Sequence, residues 1–306
     1  MSGPDPDPGF RPVHGHPEPL GDGLFRIVAP NPSPMTFRGT NTYVIGRRDL
    51  FVIDPGPDDP CHLQAILSAL PERSRVRHIL VTHAHLDHSH LARTLSRETG
   101  APVLAFGGPQ AGRSAVMERL AEGGLVQGGE GVDHGFAPDA RLGDGDEIAS
   151  GDYRIRALHT PGHFGNHLSF DWDGTLFTGD LVMGWASSMV SPPDGDLTDF
   201  MASLTRLNRH RWSRLLPGHG APVEDASARL SGLLAHRRAR EAQILAALAA
   251  GPATLKALTA RIYTDTDPRL LPAAARNVLA HLIDLMGQSR VTHAGDLSPE
   301  AVFSLS

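Results

Sequence analysis

The chain has 306 residues, 40% of them hydrophobic, and its formal net charge is −6. This length accommodates one large domain and one small domain, each with its own core. No apolar run approaches the about 20 residues needed to cross a bilayer, which argues against a membrane-spanning protein.

Cysteine content and the first residues indicate the compartment. Cys61 is the only cysteine, so an internal disulfide is excluded and a reducing environment is favoured. Residues 1–8 are acidic and proline-rich, and they have neither the positive region nor the apolar region of a secretory signal. We therefore expect a cytoplasmic protein with no membrane partner.

The charge is unevenly distributed along the chain. Residues 1–225 hold 19 basic and 28 acidic side chains, whereas residues 226–306 hold 9 and 6. An acidic body repels polyanions at long range, so a nucleic acid would be met by the C-terminal segment. The basic excess of that segment is too small to predict nucleic-acid binding by itself.

The first part of the chain predicts a tail followed by strands. Residues 1–18 are predicted to be a disordered tail, because their frequent prolines disfavour both helices and strand ladders. Alternating and apolar runs then predict strands and one helix. The strands are at residues 24–28, 41–45, 50–53 and 78–82, and the helix is at about 60–70.

Three imidazoles and a carboxylate follow the buried strand at 78–82 within six residues: His83, His85, Asp87 and His88. Neutral imidazoles are preferred metal ligands, and clustering three of them without a cation would leave buried polar groups unused. One loop can thus supply ligands to two metal ions about 3.5–4 Å apart. The alternative is a surface cluster in a chain that has 17 histidines.

Strands and helices alternate in two runs. The first run ends with a helix at about 87–98 and a strand at 102–105, and the second run begins near residue 143. Two such runs imply two stacked sheets with helices outside, an α/β fold of the αββα sandwich type. The glycine-rich connection 107–140 is typical of a mobile cover or a partner contact. The loop 183–199 is interpreted as a wall that faces the substrate.

The composition changes in the last quarter of the chain. A long helix at about 226–249 and shorter helices near 254–262 and 272–286 precede a short hairpin. This pattern predicts a small, mainly helical, winged-helix-like domain over residues 226–306. The catalytic domain is then expected to cover residues 19–225.

Three further ligand-type residues, His163, Asp180 and His219, each end an apolar run at a turn. With Asp54 and the segment 83–88, they occur in the order of the five motifs of the metallo-β-lactamase superfamily, and the set resembles that family. The C-terminal helices are similar to those of its β-lactamase-like protein 2 subfamily, on a glyoxalase II-like branch. The resemblance implies the same αββα fold.

The resemblance also implies a ligand set for two divalent metal ions, zinc first, with iron or manganese as alternatives. It assigns His83, His85 and His163 to the first metal, Asp87, His88 and His219 to the second, and Asp180 as the bridge. Asp87 would also orient a metal-bridging hydroxide and so be catalytic. His167, four residues after His163, is the second candidate catalytic or substrate-contacting residue, and a buried structural histidine is its alternative.

Several functions remain open for such a site. We expect a hydrolase of a small acyl substrate, thioesters above all, because the catalytic part is acidic. A single-strand endoribonuclease is the second interpretation, and a mononuclear-iron enzyme resembling persulfide dioxygenases is the third. Single-stranded RNA as a partner would need basic contacts, for which the candidates are Arg38, Arg113, Arg237, Arg238 and Arg240. The sequence leaves the formation of an oligomer open.

Overall fold

The first sheet has seven strands, which lie side by side in chain order. The computed structural model describes residues 5–125, 131–295, 297–298 and 300–306. The strands of this sheet are β1 Glu18–Gly21, β2 Leu24–Val28, β3 Asn41–Ile45, β4 Asp49–Ile53, β5 Arg75–Leu80, β6 Val103–Ala105 and β7 Ala140–Arg141. The strands β1 to β4 pair antiparallel, whereas β4 to β7 pair parallel. The switch to parallel pairing requires helical crossovers on one face.

Helix α1 (Pro60–Ala69) lies between β4 and β5, and helices α2 (Leu86–Ser89) and α3 (Ala92–Thr99) lie between β5 and β6. The carboxylate of Asp59 caps α1 by accepting from the backbone N–H of His62 at 2.7 Å. Apolar side chains of α1 and α3 pack on the outer face of the sheet in one buried cluster. The helix predicted at 87–98 is therefore two helices, separated at His90 and Leu91.

A second sheet of five strands stacks on the first. Its order is β12-β11-β10-β9-β8, with bounds β8 Glu147–Ser150, β9 Tyr153–His159, β10 Leu168–Trp172, β11 Thr175–Gly179 and β12 Arg214–Pro217. Phe51 and Ile53 of the first sheet and Phe170 and Phe177 of the second share one buried cluster between the sheets. Helix α5 (Leu197–Leu207) covers the outer face. The predicted αββα sandwich is confirmed.

The connection between residues 107 and 140 contains helix α4 (Ala115–Glu122), whose N-terminus is capped by Ser114. Met117 is buried in the core of the C-terminal domain. Through Met117, the segment predicted to be a mobile cover or a partner contact packs on the C-terminal domain of the same chain. Residues 126–130 of the predicted cover lie outside the described residues.

The C-terminal part is a winged-helix arrangement, as predicted. Its elements are α6 Ala226–Ala249, β13 Ala253–Thr254, α7 Leu255–Ile262, a 3-10 helix Pro268–Leu270, α8 Leu271–Gly287, β14 Val291–Ala294 and β15 Val302–Leu305. The predicted hairpin gains β13 as a third strand beside β15. In the described part of the chain, we find no helix both long and apolar enough for a transmembrane span.

Helix α6 belongs to two cores. Leu230 and Leu233 pack with α5 under the second sheet, whereas Ile244 and Leu248 lie in the core of the C-terminal domain. One continuous helix of 24 residues thus connects the two units. The domain boundary predicted at residue 226 remains a prediction, because α6, which begins there, contributes to the cores of both domains.

Residues 5–17 differ from the predicted disordered tail. Phe10 is buried, its ring lies 6.2 Å from that of Phe37, and the guanidinium of Arg26 lies 4.7 Å from its centre. The N–H of Gly15 donates to the carbonyl of Val28 at 2.9 Å. Prolines prevent a ladder but not side-chain packing, so an aromatic anchor and a few hydrogen bonds hold the segment on the sandwich.

Shortening Leu233 to alanine tests the role of α6 in the sandwich. Leu233 is buried, so we expect Leu233→Ala to lower the free energy of unfolding by about 2–5 kcal/mol, because it leaves a cavity. Urea denaturation measures this change. Arg238→Ala changes an exposed residue of the same helix and should stay within about 0.5 kcal/mol. Equal effects of the two variants would contradict the shared-core role of α6.

Candidate metal centre

The seven ligand-type residues lie together at one edge of the sandwich, in two groups. Strands β4 and β5 are parallel, and so are β11 and β12, so the turns that follow these strands leave the same edge. The turn after β5 carries His83 and His85 and leads into α2, which has Asp87 in its first turn. The turns after β11 and β12 carry Asp180 and His219.

Two glycines make room for this convergence. Gly179 has φ +46°, and a Cβ built on it would lie 2.6 Å from Nε2 of His167. A Cβ on Gly218 would lie 2.6 Å from Oδ1 of Asp180. Both distances are too short for any side chain, so the glycines before Asp180 and His219 are a steric requirement.

The first group is His83, His85, His163 and Asp180. Nδ1 of His85 lies 2.9 Å from Nε2 of His83 and 3.2 Å from Nε2 of His163. Oδ2 of Asp180 lies 3.7 Å from the same nitrogen of His163. Three ring nitrogens and one carboxylate oxygen thus face one small volume.

The second group is Asp87, His88 and His219. Nε2 of His88 lies 3.3 Å from Nε2 of His219, and Oδ2 of Asp87 is 3.2 Å from the latter atom. Oδ1 of Asp180 is 3.4 Å and 3.3 Å from the two ring nitrogens. The carboxylate of Asp180 therefore has one oxygen towards each group, and Oδ1 accepts no hydrogen bond from any described residue although it is buried.

Hydrogen bonds at the far side of the rings determine which nitrogen is free. His163 Nδ1 lies 2.7 Å from the carbonyl of Met189, and His219 Nδ1 lies 3.2 Å from that of Gly39. Carbonyls only accept, so each Nδ1 carries a proton and each Nε2 is the ring atom that faces the ligand groups. His88 has the carboxylate of Asp54 in this place, at 2.8 Å. This outer shell of acceptors is the arrangement found around metal-bound histidines.

Asp54 holds several parts of the site at once. Its backbone has φ +50°, which is uncommon for a residue with a side chain. Its carboxylate accepts from the backbone N–H of Thr82 at 2.7 Å and from the hydroxyl of Thr82 at 2.8 Å, besides facing His88. Because the Thr82 hydroxyl donates to Asp54, its oxygen is left to accept from Nδ1 of His83 at 2.9 Å. One carboxylate therefore orients a ring of each group.

Burial and charge affect the two groups differently. Burial lowers the pKa of His83, and it lowers the pKa of His85 to about 3, so these rings are neutral at pH 7. Burial also disfavours charge on His219, but the carboxylates of Asp180 and Asp87 outweigh it and raise its pKa to about 9. The first group offers neutral nitrogens, whereas the second holds a proton that a cation would displace.

His167, a candidate catalytic residue, is fully buried beneath the two groups. Its Nε2 accepts from the backbone N–H of Asp180 at 3.3 Å, and its Nδ1 faces the hydroxyl of Thr160 at 2.9 Å. Both ring nitrogens are thus engaged with the chain. His167 therefore contacts the backbone of Asp180 and can orient it. His167 is not among the residues that line the cavity above the ligand groups.

A cavity of about 510 Å³ opens above the two groups. Residues of both domains line it, and apolar side chains predominate in its wall. From the sandwich these include Met35, Met183 and Met189; from the C-terminal domain they include Leu270, Pro272 and Ala273. The interpretation of 183–199 as a wall is consistent with this lining. Trp185 of that loop instead stacks on Phe37 at 4.9 Å.

Two basic residues, Arg269 and Arg276, also line the cavity. Sequence reasoning missed them, because nothing local places the start of α8 above the site. Arg237, which was a candidate phosphate contact, is buried instead. Arg38 pairs with Asp5, and the other former candidates are absent from the cavity lining.

The donor set fits divalent transition metals. Clustered nitrogen lone pairs repel one another unless a cation or proton lies between them, and the single proton available at Nδ1 of His85 can serve only one of its two neighbours. Histidine nitrogens and carboxylate oxygens suit zinc, iron and manganese. The buried Oδ1 of Asp180, which faces the ring nitrogens of His88 and His219 without accepting a hydrogen bond, is the further ligand atom that such an ion would use.

Comparison with known proteins agrees with this site. The sequence model of the metallo-beta-lactamase superfamily matches residues 35–219. The chain belongs to the metallo-beta-lactamase superfamily. The model of the beta-lactamase associated winged helix domain matches residues 254–300, and the two matches together confirm the resemblance inferred from the motifs. The chain is a metallo-beta-lactamase superfamily hydrolase, and proteins named as thioesterases are among those similar to it.

Individual relatives support the assignment to the superfamily. A beta-lactamase-like protein 2 homolog of Drosophila melanogaster is 32% identical over 90% of this chain and 93% of that protein. An atrochrysone carboxyl ACP thioesterase of Paecilomyces divaricatus is 31% identical over 76% of this chain and 66% of its own length. The crystal structure of a metallo-beta-lactamase family protein from Thermus thermophilus has a TM-score of 0.74 at 26% identity, covering 94% of this chain and 100% of that chain.

Asp54→Asn tests the framework around the site. The change keeps the shape of the side chain but removes the anionic acceptor that faces His88. We expect the affinity for zinc to fall about 10–100-fold, as for other partners of metal-bound histidines. Competition with a chromogenic chelator measures the affinity. Asp173→Asn is the matched control, because Asp173 also has a positive φ, of 48°, but lies in the exposed β10–β11 turn. Similar losses in the two variants would refute the role of Asp54.

Proposed function

We propose that this hydrolase cleaves acyl thioesters with two divalent metal ions, zinc in preference to iron or manganese. The first group of ligand residues would hold one ion and the second group the other, with Asp180 between them. The observation that carries the proposal is the mainly apolar cavity directly above two complete ligand groups. The similarity to a protein named as an acyl carrier thioesterase supports it.

Each component of the site has a distinct task in such a reaction. Bound divalent ions would lower the pKa of a water molecule and polarise the carbonyl of the substrate. His88, His163 and His219 are each held at Nδ1 by a fixed acceptor, so their Nε2 atoms already face the ligand groups and the rings need not turn to bind. A cation would displace the proton that His219 holds. His167 holds the backbone of Asp180 in place.

Asp87 is the proposed proton acceptor. It lines the cavity, and one of its oxygens is 3.4 Å from the hydroxyl of Thr40, which donates to it. The neighbouring His88 and His219 outweigh the effect of burial and lower the pKa of Asp87, so it is ionised at neutral pH. In hydrolysis, the water oxygen bonds to the acyl carbon and the carbon–sulfur bond breaks. The Asp87 carboxylate can accept the water proton and return it to the departing thiolate.

The cavity wall suits an apolar acyl group. Three methionines, Met35, Met183 and Met189, are among its lining, and methionine side chains adapt to irregular shapes. Two basic residues in the lining, Arg276 and Arg269, the latter also paired with Asp267 at 2.6 Å, can contact an anionic part of the thiol that carries the acyl group. We therefore propose an acyl group bound by the methionines and an anionic carrier bound near α8.

RNA cleavage receives less support from the structure. A nuclease needs several basic contacts along a path to the metals. Arg113 pairs with Asp194 at 2.6 Å, and Arg240 lies 4.0 Å from the ring centre of Tyr263. These residues are thus used within the fold rather than in the cavity. Two ligand groups also favour two metal ions over the single iron of a persulfide dioxygenase.

Replacing Asp87 tests the reaction. We expect Asp87→Ala to lower thioester turnover about 10²-fold or more, because a positioned acid–base group is lost. Zinc in the first group should remain, because Asp87 belongs to the second. Steady-state kinetics on a panel of acyl thioesters and metal analysis of the same preparations give the two values.

A parallel assay distinguishes the competing function. Labelled single-stranded RNA is offered to the zinc-loaded protein at low and moderate salt, beside the thioester panel. Metal-dependent RNA cleavage that Asp87→Ala abolishes, without thioesterase activity above that variant, would overturn the proposal. A wild-type protein that binds no zinc, iron or manganese would overturn the metal assignment itself.

A bulky residue in the cavity tests the acyl pocket. We expect Ala273→Phe, on the wall formed by α8, to raise KM for long or aromatic acyl thioesters about tenfold, which corresponds to about 1.4 kcal/mol. An acetyl thioester should be affected much less. Ala246→Phe, on an exposed position of α6, is the control. Equal effects on large and small acyl groups would place the acyl chain elsewhere.

A further inference from the structure

The peptide unit between Met189 and Val190 connects the metal centre with the C-terminal domain. Its carbonyl lies 2.7 Å from Nδ1 of His163 and accepts a hydrogen bond from the N–H there. Its N–H donates to Oδ1 of Asn277, on α8, at 3.1 Å. Because a peptide unit is planar and rigid, an atom that holds its N–H also sets the direction of its carbonyl. Asn277 thus influences where the ring of His163 points.

Arg237 of α6 binds both the side chain of Asn277 and the backbone just before Met189. Nη1 of Arg237 donates to Oδ1 of Asn277 at 2.9 Å, and Nη2 donates to the carbonyl of Ser188. The preceding peptide unit is therefore fixed as well. Ser188 and Val190 are fully buried, so neither backbone group can turn to water as an alternative partner.

Arg237 is an unusual residue for its place. It is only 2% exposed, and the ion pairs seen among the described residues do not include it. Its guanidinium lies 4.9 Å from the ring centre of Phe200. A buried cation is unfavourable unless its donors are used. Nη1 and Nη2 of Arg237 donate to the amide of Asn277 and the carbonyl of Ser188, whereas Nε has no hydrogen-bond partner among the described residues.

We propose that Arg237 and Asn277 are positioning residues for the metal centre, through which the winged-helix domain orients the ligand His163. The sandwich alone leaves the loop at 188–190 without these two anchors. The C-terminal domain therefore contributes to metal binding as well as to the cavity wall. This inference rests on the metal site of the proposed function.

The variants separate orientation from folding. Asn277→Leu has a similar volume but removes the acceptor for the N–H of Val190, whereas Asn277→Asp keeps an oxygen in that place. Arg237→Lys keeps the charge but not the two-pronged donor. Arg238→Leu changes the exposed neighbour and serves as the control. Thermal unfolding of each variant shows how much folded protein is present.

Zinc titration against a chelator measures the first group and the second group as two binding steps. We expect Asn277→Leu to weaken zinc binding to the first group, which contains His163, about 10–100-fold. Zinc binding to the second group should be nearly unchanged. Asn277→Asp should restore most of the loss, Arg237→Lys should be intermediate, and Arg238→Leu should match the wild type. Asn277→Asp binding as weakly as Asn277→Leu would refute the inference, and so would unchanged binding in folded Asn277→Leu.

A second measurement does not depend on metal. In the wild-type chain, the Nδ1–H of His163 should give a protected imidazole signal in nitrogen–proton NMR, identified by its loss in His163→Asn. We expect this signal to broaden or exchange faster in Asn277→Leu. An unchanged signal would overturn the inference. If the wild-type protein had no affinity for zinc, the proposed function would be refuted. If the wild type and Asn277→Leu bound zinc with the same affinity, only the role of Asn277 would be refuted.

Discussion

Crowding of ring nitrogens, whose lone pairs repel one another unless a proton or a cation lies between them, is the constraint on which this architecture depends. Five imidazoles and two carboxylates converge on two adjacent groups, and their nitrogens approach one another to 2.9–3.3 Å. The chain holds them there by fixing the opposite side of the rings, with Asp54 behind His88, Met189 behind His163 and Gly39 behind His219. A cation relieves the repulsion, so the framework is preorganised for one.

That framework explains why the site occupies the ends of strands. Parallel β4 and β5 place Asp54 beside Thr82, whose backbone and hydroxyl both donate to its carboxylate. Parallel β11 and β12 bring the residues that follow them, Asp180 and His219, within 3.3 Å of each other. The hydrogen-bonded strands hold the turns that follow them in place, and these turns contain the ligand residues. Strain such as the positive φ of Asp54 is tolerated because its carboxylate is held by several partners.

Local patterns in the sequence predicted the strands and the ligand motifs well, since both depend on residues close together in the chain. Strand β3 and strand β2 lie where alternation placed them. Arg237 shows the limit of such reasoning: its neighbours Arg238 and Arg240 made it look like a solvent-facing basic cluster, yet it is buried against Ser188 and Asn277. Contacts between distant segments leave no periodic signal, which is also why the cavity arginines were missed.

The two domains share helix α6, and both contribute to the site. Substrate specificity and chemistry therefore depend on different parts of the chain. Helix α6 contributes side chains to both cores, so rotation of the C-terminal domain would disturb the packing under the second sheet. The start of α8 lies above the ligands and forms part of the cavity wall. The proposed chemistry depends on the turns of the sandwich, whereas residues 268–276 supply one wall of the cavity and the two arginines in its lining. Changes on that segment can thus alter the accepted acyl group, provided that Asn277, just beyond it, still holds the loop behind His163.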